Sequence, residues 1–254
     1  MRRMAAVILW WAVVISTFAQ TPSPQGSDKK PGESLPTTEQ VIEKYIQALG
    51  GKAAIEKVGS QVSKGTFEIP DFSATGTVEI YAKAPNKQLS ISKNPGFGTT
   101  ARGFDGAAGW EESPMSGMRD LKGAELALMK RDCDLQRSLK FKEFYAKLAV
   151  TGKDQVNDHE AYLVEAVPKE GNPEKLYFDT QTGLLIRKDV EMMSRAGKVT
   201  MNIYLENYKE VNGLKVPFTE RRVSPAFSMI ILLDDVKHNV PIDDAKFNKP
   251  SPSR

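Results

Sequence analysis

The chain has 254 residues, 26% of them charged, with 35 Lys and Arg against 32 Asp and Glu. A formal charge of +3 with both signs interspersed gives no electrostatic basis for a nucleic-acid partner. The single cysteine, Cys133, excludes an internal disulfide, so stability must come from burial, for which the chain is long enough.

Taken in order, Met1-Arg2-Arg3, the apolar run Ala5 to Ile15 and the small-residue end Thr17-Phe18-Ala19 predict a secretory signal peptide over 1–19. The run is well short of the roughly 20 apolar residues that a membrane span needs. No cysteine follows the cleavage region, so an acyl anchor is not expected, and the protein is expected to be periplasmic or secreted. Loss of Arg2 and Arg3 leaves 33 basic against 32 acidic residues, a net charge of +1. Residues 20–36 are rich in Pro, Ser, Gly and charge, with Leu35 the only large apolar side chain; such a segment cannot offset its ordering entropy and is expected to be a disordered tether. Residues 37–250 are expected to form one mainly β (α+β) domain, and 251–254 a loose tail.

Thr37 and Gln40 form a capping box ahead of an apolar stripe of Val41, Ile42, Tyr45, Ile46 and Leu49, which predicts a helix ended by Gly50-Gly51. A second short helix is expected over 52–58. Strands are expected over 61–69, 74–82, 87–93, 99–104 and 109–112, joined by turns such as Pro70-Asp71-Phe72-Ser73 and Asp105-Gly106. Ser113 to Lys122, with Pro114, Gly117 and two methionines, reads as a break in the meander placed where a lid would be. A helix is expected over 124–139, then strands over 146–155 and 161–167. From Lys175 to Val240 the pattern reads as four strand-like runs. Val199, Met201, Ile203 and Leu205 alternate there with polar neighbours, the period that buries one face of a sheet. Phe227 to Leu233 is apolar on both faces apart from Ser228, so something is expected to lie across the sheet. Phe247 is expected to anchor the C-terminus.

Residues that could carry chemistry are sparse. His159 and His238 lack the neighbouring His or Cys of a metal site, and the acids around His238 read as a solvated edge. Cys133 lies between Asp132 and Asp134, which disfavour the thiolate, so a buried structural thiol is expected. Phosphate-loop, dinucleotide, haem-attachment and G-x-S-x-G patterns are absent, and neither a cofactor nor an enzymatic activity is expected. What remains is soft and apolar. Methionine adapts to irregular ligands, and Trp110, Met115, Met118, Leu121, Leu128, Met201 and Met229 are the candidate lining of a binding hollow.

The runs YIQALGGKAAIEKV, YFDTQTGLLIRK, NYKEVNGLKVPFTERR and VPIDDAKFNKP together resemble the outer-membrane lipoprotein-sorting group, the LolA/LolB-like superfamily, over about residues 37–250. The resemblance implies a strongly curved, antiparallel, half-open β-barrel with helices covering its concave face. It further implies a monomeric carrier or chaperone that takes lipid or lipoprotein acyl chains in an apolar hollow, with a receptor at the outer membrane as partner. In that group an arginine latches the lid; here Arg102, Arg119 and Arg187 are all conceivable. A second reading is an envelope protein-interaction module whose core is filled by its own side chains.

Overall fold

The computed structural model describes residues 34–194 and 197–250. The expected signal peptide, most of the expected tether, the Arg195-Ala196 part of a predicted turn and the expected tail lie outside the described residues. Thirteen strands form a single antiparallel sheet: β1 (Ser60–Ile69), β2 (Ala74–Lys83), β3 (Lys87–Asn94), β4 (Gly98–Phe104), β5 (Gly109–Ser113), β6 (Gly117–Asp120), β7 (Tyr145–Val156), β8 (His159–Pro168), β9 (Glu174–Asp179), β10 (Leu185–Ser194), β11 (Gly197–Val211), β12 (Leu214–Val223) and β13 (Ser228–His238). Their spatial order is β6-β5-β4-β3-β2-β1-β13-β12-β11-β10-β9-β8-β7. The chain builds one half outward from β1 to β6, crosses over, and builds the other half inward from β7 to β13, which pairs with β1. The sheet is curved and does not close. Its edges are β6, four residues long, and β7, whose pairing with β8 is interrupted at Tyr145/Lys147 and at Val150/Gly152.

Among the described residues the sheet is joined by four α-helices, α1 (Thr38–Leu49), α2 (Lys52–Glu56), α3 (Gly123–Asp132) and α4 (Phe141–Phe144). No helix among the described residues is long and apolar enough to cross a membrane. The start of α1 is set as its sequence requires. The Gln40 amide donates to Thr37 Oγ1 (3.2 Å) and the Thr37 amide to Gln40 Oε1 (2.8 Å), so two amides that the first turn leaves unpaired are satisfied. At the other end Gly50 has φ 127°, and a Cβ there would stand 2.1 Å from the Gly213 carbonyl oxygen. Glycine therefore ends the helix and also lets it press against the β11–β12 turn. Val41, Tyr45 and Leu49 are buried on the face this orientation presents, and each such side chain contributes roughly 1.5–3 kcal/mol. Tyr45 meets Phe178 of β9 edge-on at 5.2 Å between ring centres and Phe141 of α4 at 6.3 Å.

Three expectations change. Ser113 to Lys122 is a β-hairpin, with Glu112 opposite Met118 and Ser113 opposite Gly117. The Ser116 amide and hydroxyl close its tip onto Ser113 Oγ, and Gly117 supplies the positive φ that the turn needs. The helix expected over 124–139 stops at Asp132. Asp134 Oδ1 takes the Gln136 amide (2.8 Å) in competition with the helical ladder, and Arg137–Leu139 continues as a 3-10 turn. The C-terminal meander holds five strands, β9 to β13, rather than four. The last turn is closed by the Ser224 amide on the Phe227 carbonyl (3.0 Å).

Candidate functional site on the inner face

Strand alternation and register sort the side chains onto two faces. The helix-bearing inner face carries Phe67 of β1, Val78 of β2, Leu176 and Phe178 of β9, Val190 of β10, Met201, Ile203 and Leu205 of β11, and Ile231 of β13. Over β7 to β12 this face is filled from within by Val41, Tyr45, Leu49 and Phe141, with Ile42, Ile46, Leu128 and Leu139 around them. A gap of about 10 Å³ between α3 and β9–β10, bounded by Leu128, Arg131, Glu174 and Val190, has room for about a single water. Over the central strands the situation differs. Phe67, Val78 and Ile231 are buried, but Ile69, Ile80, Met229 and Leu233 around them are only half-buried, and every member of this cluster comes from a strand. That strip is the candidate site.

The predicted lining residues separate accordingly. Met201 and Leu128 join the filled half, and Met229 lies in the half-buried strip. Leu121 is buried with Phe104, Met129 and Cys133 under α3. Trp110 and Met118 belong to the opposite, outer face, with Leu89 and Ile91 and beneath the C-terminal segment. There Trp110 Nε1 donates to the Phe247 carbonyl at 3.2 Å, and Phe247 is fully buried. The reason is register: Trp110 sits opposite Gly103, where a Cβ would come within 2.4 Å of the indole. Met115 stands exposed at the β5–β6 tip, at the same end of the sheet as the exposed Phe72 and Phe97 of the β1–β2 and β3–β4 turns.

The latch candidates also resolve. Arg102 of β4 and Arg119 of β6 face inward and share two carboxylates, Glu111 of β5 and Glu125 at the start of α3: Arg119 reaches Glu125 at 2.8 Å and Glu111 at 3.0 Å, and Arg102 reaches Glu125 at 3.2 Å and Glu111 at 3.8 Å. The Arg119 hydrogen bonds, aided by both guanidinium charges, outweigh burial and hold the Glu125 carboxyl below its ordinary value. The quartet ties α3 to the β4–β6 corner. Arg187 lies on the outer face, stacked on Tyr177 (4.7 Å) and Tyr204 (5.4 Å) and paired with Asp189.

Residues that no motif singled out complete the inner face: Asp132 at the end of α3, Arg137 in the 3-10 turn, Lys188 of β10, and Glu220 and Arg222 of β12. Lys188 Nζ holds both Asp132 oxygens at 2.8 Å, and Arg222 Nε donates to Glu220 at 2.5 Å. Burial works against the Asp132 carboxylate, but Lys188 and Arg137 outweigh it and keep its pKa low. Burial similarly opposes the Arg137 charge and is outweighed by Asp132, Tyr45, Tyr208 and Glu220, while it pushes the Tyr208 phenol well up. The signal for these residues was present in alternation. Glu220 and Arg222 share parity with buried Val216 and Phe218, and Lys188 with buried Val190, so charge is written into inward positions.

Cys133 is buried, donates weakly to Gln88 Oε1 at 3.5 Å, and its thiol is pushed up to about 12 by burial and then by Asp132. His159 Nδ1 lies 2.8 Å from Asp179, an outward turn contact, and His238 Nε2 lies 3.2 Å from Gln61 Oε1. Among the described residues no group of three or more His, Cys, Asp or Glu is placed to hold a metal ion.

No protein-family model and no curated protein matches the chain. Solved structures do. A DUF1329 family protein from Desulfovibrio piger superposes with TM-score 0.56 at 13% identity, covering 83% of this chain and 96% of that one. A LolA superfamily protein from Nitrosomonas europaea gives 0.55 at 15%, covering 85% and 99%. A domain assigned by name to outer-membrane lipoprotein sorting, from Vibrio parahaemolyticus, gives 0.55 at 12%, covering 83% and 97%. At such identities the likeness establishes architecture: this chain has a LolA-like fold, an unclosed antiparallel sheet with helices on one face.

Proposed function

We propose that the protein is a non-enzymatic periplasmic carrier that binds lipid or lipoprotein acyl chains along the inner face of β13, β1 and β2. The observation that carries this reading is the half-buried strip of Ile69, Ile80, Met229 and Leu233 around the buried Phe67, Val78 and Ile231, a cluster to which no helix contributes, unlike the cluster over β7 to β12. Each methylene laid on such a strip contributes about 0.8 kcal/mol, so an acyl chain is held by area alone, without a catalytic constellation. The name borne by the Vibrio domain supports the same reading. Titration with a fluorescent fatty acid tests it: the protein should raise the probe's emission saturably, and Met229→Glu should abolish the rise while leaving the circular dichroism unchanged. No saturable binding, with lipid-free protein recovered from its native envelope, refutes the carrier.

The filled interior over β7 to β12 favours the second reading, an envelope protein-interaction module. Crosslinking that returns one stoichiometric protein partner, with no lipid bound, would select it.

A further inference from the structure

The charges on the inner face do not balance. Asp132 is engaged through both oxygens by Lys188, and Glu220 is engaged by Arg222. Arg137 is left over. Its guanidinium has five N–H donors, of which one is used, Nη1 to the Asp132 backbone carbonyl at 3.2 Å. Among the described residues no carboxylate lies within ion-pair distance of it, and the three cations of this cluster face two anions.

The placement of that surplus matters. Arg137 is exposed, yet loss of hydration to the surrounding protein is the largest single influence on it, as happens to a side chain lining a concavity rather than projecting from a convex surface. It shares Asp132 and Glu220 as electrostatic neighbours with Arg222. Register then carries the cluster directly into the apolar strip: Arg222 is opposite Met229 and Glu220 opposite Ile231 on β13, and Ile231 is opposite Phe67 on β1. Arg137, bonded to Asp132, therefore belongs to a charged row, Lys188 on β10 and Arg222 on β12, that strand register carries to Met229 at the margin of the apolar strip.

We propose that this site takes an anionic amphiphile, whose carboxylate or phosphate oxygens accept hydrogen bonds from Arg137 while its tail lies along the half-buried Ile69, Ile80, Met229 and Leu233. The inference rests on the carrier reading and narrows it to a substrate class. A neutral amphiphile offers Arg137 at most an uncharged acceptor, and a hydrogen bond between two charged groups is the stronger. Selection is by head group, since the track itself accepts any acyl chain.

Oleate, oleyl alcohol and oleoyl lysophosphatidic acid share one tail and differ in head group. Their binding to the purified protein, at submicellar concentration and by calorimetry, tests the assignment. Oleate is expected to bind about tenfold more tightly than oleyl alcohol, the value of roughly one charge-assisted hydrogen bond. Arg137→Gln should remove that preference by weakening oleate more than the alcohol, and Arg137→Lys should restore part of it. A tighter lysophosphatidic acid identifies a phosphate ligand and a tighter oleate a carboxylate; either supports the site. Equal binding of acid and alcohol to the unaltered protein overturns the anion site and leaves the carrier standing. A preference that persists in Arg137→Gln overturns the role of Arg137. Failure of all three ligands to bind overturns the carrier reading itself, and this inference with it.

Discussion

Arg131 and Glu174 form the ion pair that holds the C-terminal end of α3 to β9, and replacing one partner gives a large, computable effect. Both side chains are buried, at 8% and 4% exposure. Arg131 Nη2 bonds Glu174 Oε1, its Nη1 donates to the Glu170 carbonyl at 2.7 Å, and Glu174 Oε2 accepts from the Tyr145 hydroxyl at 2.9 Å. Arg131→Met keeps the volume but strands a buried carboxylate on a single phenol, which costs about 3–5 kcal/mol. For a domain of this size each kcal/mol lowers the midpoint by about 2–4 °C, so thermal unfolding followed by circular dichroism should show a fall of roughly 6–20 °C. Adding Glu174→Met removes the stranded charge, and the double variant should regain at least half of the loss, because contacting residues are strongly non-additive. A single variant within about 1 kcal/mol of the parent, or a double variant no more stable than the single, refutes the reasoning that this pair is dry and mutually dependent.

Trp110 is the only tryptophan after residue 19, and it lies on the outer face under the C-terminal segment. A brominated fatty acid that binds the inner strip should therefore leave its fluorescence unquenched, whereas Met229→Trp should add an emission component that is quenched. At pH 8 the Cys133 thiol, with its pKa pushed up to about 12, should resist iodoacetamide in the folded protein and react fully once the protein is denatured. Asp179 is buried. Its pKa is lowered below the ordinary 3.8 because hydrogen bonds from the Thr182 amide and hydroxyl, His159 and the Gln181 amide outweigh desolvation. The folded value lies below the unfolded one, so the stabilisation is present above the unfolded pKa and is lost as pH falls through the folded one. Asp179→Asn should cost about 1–3 kcal/mol at neutral pH and flatten the acid limb of a plot of stability against pH; an unchanged acid limb contradicts the assignment.

Much of the architecture was legible because its signals are local. The Thr37–Gln40 box, Gly50-Gly51 and the Asn212-Gly213 turn sit where their chemistry places them, since caps and tight turns depend on a few neighbouring residues. Phe247 anchors the C-terminus as expected. Misreadings arose where a local signal had two outcomes. Pro114 and Gly117 break a strand as readily by making a hairpin as by making a loop, and the stop at Asp132 depends on Asp134 turning back to the Gln136 amide. The site was harder. Nearness in the chain groups Trp110 and Met118 with Leu121, but which face a strand residue occupies is decided by pairing, and Gly103 admits the indole on the outer side. Arg137 carries no local mark, because the groups that act on it, Tyr208 and Glu220 among them, are distant in the chain.

The order of the sheet has one further consequence, for association between chains. An unclosed sheet has two outer strands whose free backbone amides and carbonyls are templates for polymerisation with other chains. Here one of them, β6, is only four residues long, and its Asp120 is held by Lys249 at 2.6 Å. The other, β7, is long, but it is kinked twice and carries Lys147 and Lys153, so an incoming chain meets neither a straight hydrogen-bonding run nor an uncharged one. An unclosed sheet thus coexists with blunted flanks, and substitutions that straighten β7 and remove its lysines should promote edge-to-edge association.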